Sequence, residues 1–533
     1  MQKKEDSNYL EHKQVVPILI GLATGLFLSA LDQTIVATAI RTIGDNLHGL
    51  SLQVWVTTAY LIASTITTPL YGKFSDIYGR KPLFMIAIST FILGSALCAS
   101  ATSMYQLALY RALQGLGAGG LFTLALAVLG DILPPRERAK YQGMFIAVFG
   151  TSSVIGPLVG GFFAGSPSIL GITGWRWVFL INVPLGLISL LIVAKTLHIP
   201  GFVKQNHAID WKGLLSLNLS LIPLLLLAER GREWGWASPI SITMLLLFII
   251  GLFLFIFAEK SIGDEAIIPL RLFKNKTFSV VALGGLITGA GFFGALLLLP
   301  LYLQVIGGAS PTKAGLQLLP LTLGIMIGSI ICGQVVSKTG RYKFLPLIGS
   351  SVTTLALFAM HFVKIDTSYS FIALIALFFG LGMGFLFQPL TVAVQSSVSP
   401  RDIGTATASS TLFRQLGGTL GAALYLSLLF GNLGSNISTS FKRATSDPLW
   451  QRAASDPTNS KAVANLSQFK SGTLNDTSWL SNANKTLIKP FLEGWVTTQA
   501  GVFLIASFIM LFSIATLLFL PDNEVRGRTT PSE

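Results

Sequence analysis

Runs of apolar residues, most of them about 20 residues long or longer, alternate with short polar segments along the chain. A helix of that length can cross the hydrocarbon core of a bilayer, which is about 30 Å thick. Fourteen such runs occur, at residues 15–38, 53–72, 83–101, 105–129, 141–164, 177–195, 213–229, 239–258, 279–303, 314–336, 345–363, 369–394, 404–431 and 496–520. The pattern predicts an all-α polytopic membrane protein with fourteen transmembrane helices.

Composition supports this class of protein. Of 533 residues, 52% are hydrophobic and 11% are charged, whereas about 25% of the residues in soluble domains are charged. The formal net charge is +14, but the basic residues are scattered between apolar runs, so no nucleic-acid partner is expected. Cys98 and Cys332 lie in apolar runs far apart in the sequence, and they predict neither a disulfide framework nor a metal site.

The distribution of basic residues predicts the orientation in the membrane. One alternate set of loops holds most of the Lys and Arg residues, whereas the opposite short loops hold Arg41, Arg176, Arg230, Arg232, Lys313 and Lys364. Cytoplasmic loops carry the excess of positive charge. With an even number of spans, we expect both termini in the cytoplasm and a multi-pass location in the plasma membrane.

An internal repeat organises the spans. GKFSDIYGRKPL begins at Gly72 after the second run, and GQVVSKTGRYKFL begins at Gly333 after the tenth. In both, a Gly-Arg pair follows the first glycine by seven residues. If the two segments are equivalent, the repeat period is eight helices; the alternative is two unrelated basic loops.

The repeat predicts two parallel six-helix bundles that face each other across a central cavity, as in secondary transporters. The predicted parts are an N-terminal six-helix bundle (1–196), a linker with two extra transmembrane helices (197–278), a C-terminal six-helix bundle (279–520) with a long extracytoplasmic loop (432–494), and a cytoplasmic tail (521–533).

The first copy of the repeated loop carries candidate chemistry. Gly72 and Gly79 suit a close approach of helices and a tight turn, and Asp76 can accept hydrogen bonds from the start of a helix in the other half. Arg80 and Lys81 can form charge-assisted contacts nearby. We call these five residues the latch and predict that they hold the cytoplasmic side shut. A cytoplasmic turn with solvated charges is the alternative.

The fifth run contains the segment GTSSVIGPLVGG. Pro157 is expected to kink the helix because it removes a backbone donor. Gly156, Gly160 and Gly161 expose backbone for close contact with a neighbouring helix. The segment predicts a moving part, with an ordinary helix contact as the alternative.

Ionisable residues inside apolar runs are candidates for function. Asp32 lies deep in the first run, where burial would let it exchange a proton near neutral pH. Arg111 in the fourth run could polarise Asp32 or relay the proton. The alternatives are a permanent structural ion pair for Asp32 and an Arg111 side chain that extends to the outer surface.

Aromatic, amide and basic side chains in other spans are candidates for lining the substrate cavity, since such side chains accept varied, partly apolar molecules. The candidates are Gln114, Phe292, Phe293, Gln304, Phe387, Gln388 and Arg414. For the phenylalanines, contact with lipid or with neighbouring helices is the alternative, and for Arg414 it is hydrogen bonding between helices.

Several motifs resemble one known family. GKFSDIYGRKPL resembles the general loop motif of the major facilitator superfamily, and LYRALQGLGAGG (109–120) resembles its fourth-helix motif. The proline–glycine segment of the fifth run resembles the signature of its exporters. LDQTIVATAI (31–40) resembles the first-helix motif of the fourteen-span drug:proton antiporters, the bacterial multidrug efflux type, although Ala37-Thr38 and Arg41 depart from the usual residues.

Four further segments, WRWVFLINVPLG (175–186), PLRLFKNKTF (269–278), SPTKAGLQLLP (310–320) and LFRQLGGTLG (412–421), are similar to the same family. The resemblance implies the major facilitator fold and the export of hydrophobic or cationic compounds, driven by inward proton flow. No motif carries the identity of the substrate.

The sequence therefore predicts a proton-coupled exporter of lipophilic, cationic compounds. It is expected to be a monomer in the bilayer and not an enzyme, with protons as the coupling ion and no other cofactor or metal. A lipid or glycolipid exporter of the same fold is the alternative. A channel would not need a titratable acid in one half alone, and a membrane enzyme should show catalytic side chains clustered at one interface.

Overall fold

The computed structural model describes residues 12–47, 52–198, 210–309, 311–460 and 484–522, and these are almost entirely α-helical. The helices are α1 (His12–Asn46), α2 (Gln53–Tyr78), α3 (Arg80–Ser100), α4 (Met104–Ile132), α5 (Pro135–Gly165), α6 (Trp177–Leu180), α7 (Asn182–Thr196), α8 (Trp211–Trp234), α9 (Pro239–Ile262), α10 (Lys276–Val305), α11 (Pro311–Gln317), α12 (Leu319–Thr339), α13 (Phe344–Met360), α14 (Tyr369–Ser397), α15 (Ile403–Ala444), α16 (Pro448–Ser455) and α17 (Lys485–Leu518). A short antiparallel hairpin joins α5 to α6, with strands β1 (Ser168–Ile169) and β2 (Ile172–Thr173).

Each of the fourteen predicted runs overlaps a helix in the described part of the chain. Eleven helical segments there are long and apolar enough to cross a membrane, with α6 and α7 together forming one and α11 and α12 another. The remaining three predicted spans correspond to α2, α5 and the shorter α13. The chain is a polytopic helical membrane protein; the total of fourteen spans stays a prediction.

The helices pack in two sets that repeat each other. In the first set, α1 packs against α5 and α7, α2 against α4, and α3 against α4 and α7. In the second set, α10 packs against α15 and α17, α12 against α14, and α13 against α14 and α17. The repeated loops also match, because Gly79 and Gly340 both have a positive φ, 95° and 70°, directly after a helix. These two sets are the six-helix bundles.

Helices α8 and α9 lie outside both sets. They pack mainly against each other, with backbones close enough that a Cβ on Gly251 would lie 2.5 Å from the amide nitrogen of Ser220. Helix α8 also contacts α2 of the first bundle and α15 of the second. The fold therefore has two inserted linker helices. The domain boundaries at 196/197, 278/279 and 520/521 stay predictions.

Two helix pairs join the bundles. Helix α2 packs against α15, and α5 packs against α12. The two pairs are related by the same repeat, since α2 corresponds to α12 and α5 to α15. The predicted latch lies at the end of α2, and the predicted kink lies in α5.

The segment 432–494, predicted as a long extracytoplasmic loop, is helical at both of its ends. Helix α15 continues to Ala444, α16 follows, and α17 begins at Lys485, eleven residues before the predicted last span. The physical reason is a separate apolar cluster in which Leu433 and Ile437 of α15 pack against Phe491 and Trp495 of α17. Residues 461–483 of this segment lie outside the described residues.

Candidate functional site

Asp32 of α1 is the centre of a buried polar network in the first bundle. Its side chain is fully buried. One carboxylate oxygen lies 2.5 Å from Nη1 of Arg111 on α4. The other accepts hydrogen bonds at 2.8 Å from the side-chain amides of Gln114 on α4 and Asn182 on α7. The helices of this bundle thus bring one acid, one base and two amides together.

Arg111 is held within the protein on every side. Its Nη1 also donates to Oε1 of Gln114 at 2.6 Å, and its guanidinium carbon lies 4.1 Å from the ring centre of Tyr60. The side chain is 1% exposed, so the alternative in which Arg111 extends to the outer surface is wrong. The pairing with Asp32 agrees with the interpretation drawn from the sequence; whether the pair moves protons is a question of function.

The network includes residues that the sequence analysis did not single out. Ser95 of α3 accepts hydrogen bonds from Gln114 at 2.5 Å and from Asn182 at 3.3 Å. Gly94 permits this approach, because a Cβ at that position would lie 2.5 Å from Cα of Gln114. The signal that could have identified Ser95 and Asn182 is polarity within otherwise apolar runs.

At the latch, Asp76 joins the two bundles. Its carboxylate accepts hydrogen bonds from the backbone amide of Gly404 at 3.2 Å and from the amide and hydroxyl of Thr405, each at 2.7 Å. Gly404 and Thr405 lie in the first turn of α15, where unpaired amides and the helix dipole favour an anion. A Cβ on Gly72 would overlap the side chain of Ala408, so this glycine permits the close crossing of α2 and α15.

Arg80 supports Asp76 from within the first bundle. Its guanidinium lies 2.5 Å from Oδ1 of Asp76 and 2.6 Å from Oδ2 of Asp131 at the end of α4. Gly79 makes the turn that places Arg80 at the start of α3. Lys81 instead donates to the backbone oxygen of Ala194 at 2.6 Å, within the same bundle. Asp131 is a partner that the sequence analysis missed.

A second contact between the bundles lies near the latch. The side-chain amide of Gln395 on α14 donates to the backbone oxygen of Leu126 on α4 at 2.9 Å. Asp402 lies a few residues after Gln395, at the start of α15. Its carboxylate forms a bidentate ion pair with the guanidinium of Arg271, with N–O distances of 2.8 and 2.9 Å. Neither contact was among those predicted from the sequence.

Two glycines of α5 face α1. A Cβ on Gly156 would overlap the side chain of Thr34, and one on Gly160 would overlap that of Thr38. Gly161 points elsewhere, with nothing within 4 Å of its Cβ position. The ring of Pro157 lies 3.5 Å from the Cβ position of Gly315 on α11. Helix α5 is continuous through Pro157, and the kink stays a prediction.

Three of the cavity candidates lie together at the interface of the bundles. The rings of Phe292 and Phe387 meet edge to face, 5.2 Å between centres. The guanidinium of Arg414 lies 5.0 Å from the ring centre of Phe387 and 5.8 Å from that of Phe122 on α4. This group, Phe122, Phe292, Phe387 and Arg414, is called the aromatic–arginine cluster. Phe122 was not among the candidates.

The other cavity candidates lie elsewhere. Gln114 belongs to the Asp32 network, and Gln304 is exposed near the end of α10. Gln388 is 1% exposed, and neither polar atom of its side chain has a hydrogen-bond partner in the described part of the chain. The side chain of Phe293 lies outside the described residues. Among the residues described, no group of His, Cys, Asp and Glu side chains could hold a metal ion.

Comparison with known proteins agrees with this architecture. The Major Facilitator Superfamily family model matches residues 22–422. Multidrug transporter protein MdtP of Bacillus subtilis (strain 168) is 37% identical over 414 residues, which cover 76% of this chain and 74% of MdtP. Multidrug resistance protein 3 of the same strain is 32% identical over 518 residues, 96% of each chain.

A solved structure gives the same fold. The proton:xylose symporter XylE, bound to 6-bromo-6-deoxy-D-glucose, has a TM-score of 0.61 and 15% sequence identity, covering 97% of this chain and 98% of XylE. At that identity the similarity concerns the fold alone.

Proposed function

The chain belongs to the major facilitator superfamily of membrane transporters, and on that premise we propose that it exports lipophilic compounds in exchange for protons. Two relatives that it matches over most of their length are named as a multidrug transporter and a multidrug resistance protein. We further propose a plasma-membrane location with both termini in the cytoplasm, supported by the distribution of basic residues. The family resemblance suggests cationic substrates, and a monomer is the proposed working unit.

The observation that carries the proposal is the fully buried carboxylate of Asp32 between Arg111, Gln114 and Asn182. A charged group deep in a membrane protein costs about 2.5–3.5 kcal/mol on insertion scales unless it is compensated. Here Arg111 compensates the charged form of Asp32. Protonation of one carboxylate oxygen would remove the negative charge and weaken the ion pair, so the network would have two arrangements.

Two such arrangements can couple opposite movements. In this proposal the substrate is bound better when Asp32 is charged, and the proton is bound better when the cavity is empty. Binding of the substrate or of the proton therefore shifts the population towards the state that releases the other one. No direct contact between substrate and Asp32 is required, because α1 and α4 of the network also contact α5 and α15. The proton thus acts as the coupling ion, and its movement inward drives export.

The latch supplies the gate in this proposal. Its hydrogen bonds run from the first bundle to the first turn of α15 in the second. They hold the proposed cytoplasmic side closed, and their breakage would open the cavity to that side. The alternative interpretation, a turn with solvated charges, does not explain why Asp76 and Arg80 are nearly buried, at 9% and 5% exposure.

Lipid export is a second candidate, favoured by one observation. An apolar groove of about 550 Å³ lies between α8 and α15, lined in part by Leu224, Trp236 and Leu424. It lies where the linker helix meets the second bundle, so a lipid chain could enter from the side. A channel or a membrane enzyme has no such supporting observation.

Inside-out membrane vesicles test the proposal. Vesicles with and without the chain are given an acid interior, and uptake of ethidium and of a fluorescent phospholipid is followed. We expect uptake of ethidium that nigericin, which collapses the pH gradient, abolishes. Flux of either probe at a rate independent of the pH gradient would favour a channel. Uptake of the phospholipid without uptake of ethidium would favour the lipid exporter.

A further inference from the structure

Arg414 lies in the first third of α15. It follows Ile403, the first residue of the helix, by eleven positions, which is about 17 Å at 1.5 Å per residue. Two glycines of α10 fix its backbone: a Cβ on Gly285 would touch Cβ of Arg414 at 3.8 Å, and one on Gly289 would overlap its carbonyl oxygen. The side chain is therefore carried on a rigid helix crossing at about half the depth of a bilayer.

The guanidinium points to the boundary between the bundles. One neighbouring ring, Phe122, belongs to α4 of the first bundle, and the other, Phe387, belongs to α14 of the second. The side chain of Arg414 is partly exposed, although it lies on a membrane-spanning helix. This exposure shows that an open space adjoins it.

Arg414 differs from the other arginines deep in the bundles. Arg80 and Arg111 each bind a carboxylate at 2.5 Å. Arg414 forms neither a salt bridge nor a hydrogen bond with any residue that the structure describes. The ring faces offset part of its charge, but they leave its five N–H donors unpaired. In a site of low dielectric, an anion would gain more from such a cation than it would in water.

We propose that the aromatic–arginine cluster is a binding site for the oxyanion group of an amphiphilic ligand, that is, a carboxylate, sulfonate or phosphate attached to a lipophilic body. This inference rests on the proposed function and names a substrate class for the same cavity. The forked N–H groups of Arg414 match two oxygens of such a group. Phe122, Phe292 and Phe387 contact the lipophilic body.

The site also predicts the sign of the charge that is preferred. Arg414 repels an ammonium group, and the carboxylate of Asp32 is already bound by Arg111. Acidic ligands should therefore bind this cavity better than cationic ligands of the same body. That order is opposite to the one that the family resemblance suggests, so the two expectations can be separated by experiment.

Three matched probes test the inference: pyrenebutyrate, pyrenebutanol and pyrenebutyl-trimethylammonium. Their binding to the full chain in phosphatidylcholine nanodiscs is measured by fluorescence. We expect pyrenebutyrate to bind most tightly. Arg414→Gln should weaken its binding about tenfold or more, as for the loss of a charge-assisted hydrogen bond, with pyrenebutanol changed less than about twofold. Arg414→Lys should lie between.

Arg232 provides a matched control. It also lies over a ring, 4.3 Å from the centre of Phe430, but it is exposed near the end of α8. Arg232→Gln should leave all three affinities unchanged. Unaltered binding of pyrenebutanol shows that Arg414→Gln is folded. Equal losses for the three probes, or no change for pyrenebutyrate, would overturn the proposal.

Two further measurements are made. The first distinguishes a lipid phosphate from a free amphiphile as the source of the oxyanion, and the second distinguishes failure of this binding site from failure of the proposed function. If phosphatidylglycerol in the nanodiscs competes with pyrenebutyrate in the wild type and not in Arg414→Gln, the site takes a lipid phosphate; without competition it takes a free amphiphile. Binding is measured without a pH gradient. If binding is charge-selective but transport is not driven by protons, the proposed function is contradicted and the binding site stands. If transport is driven by protons but binding is not charge-selective, the binding site is contradicted and the proposed function stands.

Discussion

The carboxylate of Asp76 lies 2.7 Å from both the backbone nitrogen and the hydroxyl of Thr405, a residue 329 positions later in the chain. One residue ends a helix of the first bundle, and the other begins a helix of the second. Because the first turn of α15 has unpaired amides, the contact joins a fixed acceptor to fixed donors. Separation of the bundles at this end must break it.

Asp76→Asn and Arg80→Ala are expected to shift the protein towards the state that is open at the latch end. The first removes the negative charge that the α15 terminus favours, and the second removes the cation that holds Asp76 in place. Spin labels placed across this end should show longer distances, with ligand affinity changed little. Transport should be slowed because the closed state is less populated.

Lys81→Ala is the control, because Lys81 was predicted to belong to the latch but bonds within its own bundle. Its ammonium contacts Ala194 in the same bundle, so the distance distribution should match that of the wild type. If Asp76→Asn and Arg80→Ala slow transport while their distance distributions also match the wild type, the residues do not act as a latch.

Gly156→Ala is expected to disturb the contact of α1 with α5, whereas Gly161→Ala is not. A methyl group at 156 overlaps Thr34, and one at 161 meets nothing within 4 Å. Overpacking of this kind typically costs about 1–3 kcal/mol. The midpoint of thermal unfolding in detergent should fall for Gly156→Ala alone. Equal midpoints for the two variants would show that α1 and α5 are not tightly packed.

Cysteine labelling tests the orientation. A membrane-impermeant maleimide added to intact cells should modify Ser455→Cys, an exposed position at the end of α16, and should leave Ser532→Cys unmodified until the cells are broken. Ser532 itself lies outside the described residues. The reverse pattern would contradict the cytoplasmic C-terminus and the extracytoplasmic position of α16.

The sequence predicted that Asp76 would bind the start of a helix in the other bundle, but not which helix. An acid in a short loop after a span has few hydrogen-bond donors within reach other than the backbone amides at a helix start. The sequence also allowed the pairing of Asp32 with Arg111 to be predicted, since buried charges of opposite sign rarely stay apart. It marked Asn182 and Ser95 as polar residues within apolar runs but did not indicate their partners, because one polar residue in an apolar run has no periodicity that indicates its neighbours.

The segment after α15 shows a different limit. Residues 432–444 mix glycine, serine and asparagine with a few apolar residues, which reads as a loop when hydropathy alone is considered. Leu433 and Ile437 nevertheless lie one turn apart and pack against Phe491 of α17. Tertiary packing between segments far apart in sequence stabilises this helix, and a local pattern does not contain that information.

Arg111→Ala is expected to destabilise the protein, because the charge of Asp32 would remain buried without its cation. Breaking a buried pair in this way costs about 3–5 kcal/mol. The double variant Asp32→Asn with Arg111→Ala should recover part of that loss, since neither charge remains. A thermal unfolding midpoint for the double variant below that of Arg111→Ala would contradict the pairing as the source of the effect.

In the proposed mechanism Asp32 carries the transported proton, so the number of protons released on ligand binding should depend on this one carboxylate. The purified chain in weakly buffered detergent, with a pH dye, receives a transported ligand at saturating concentration. We expect the wild type to release protons and Asp32→Glu to do so with a displaced pH optimum. Asp32→Asn, which imitates the protonated form, should bind the ligand and release none. Release by Asp32→Asn equal to that of the wild type would contradict the account.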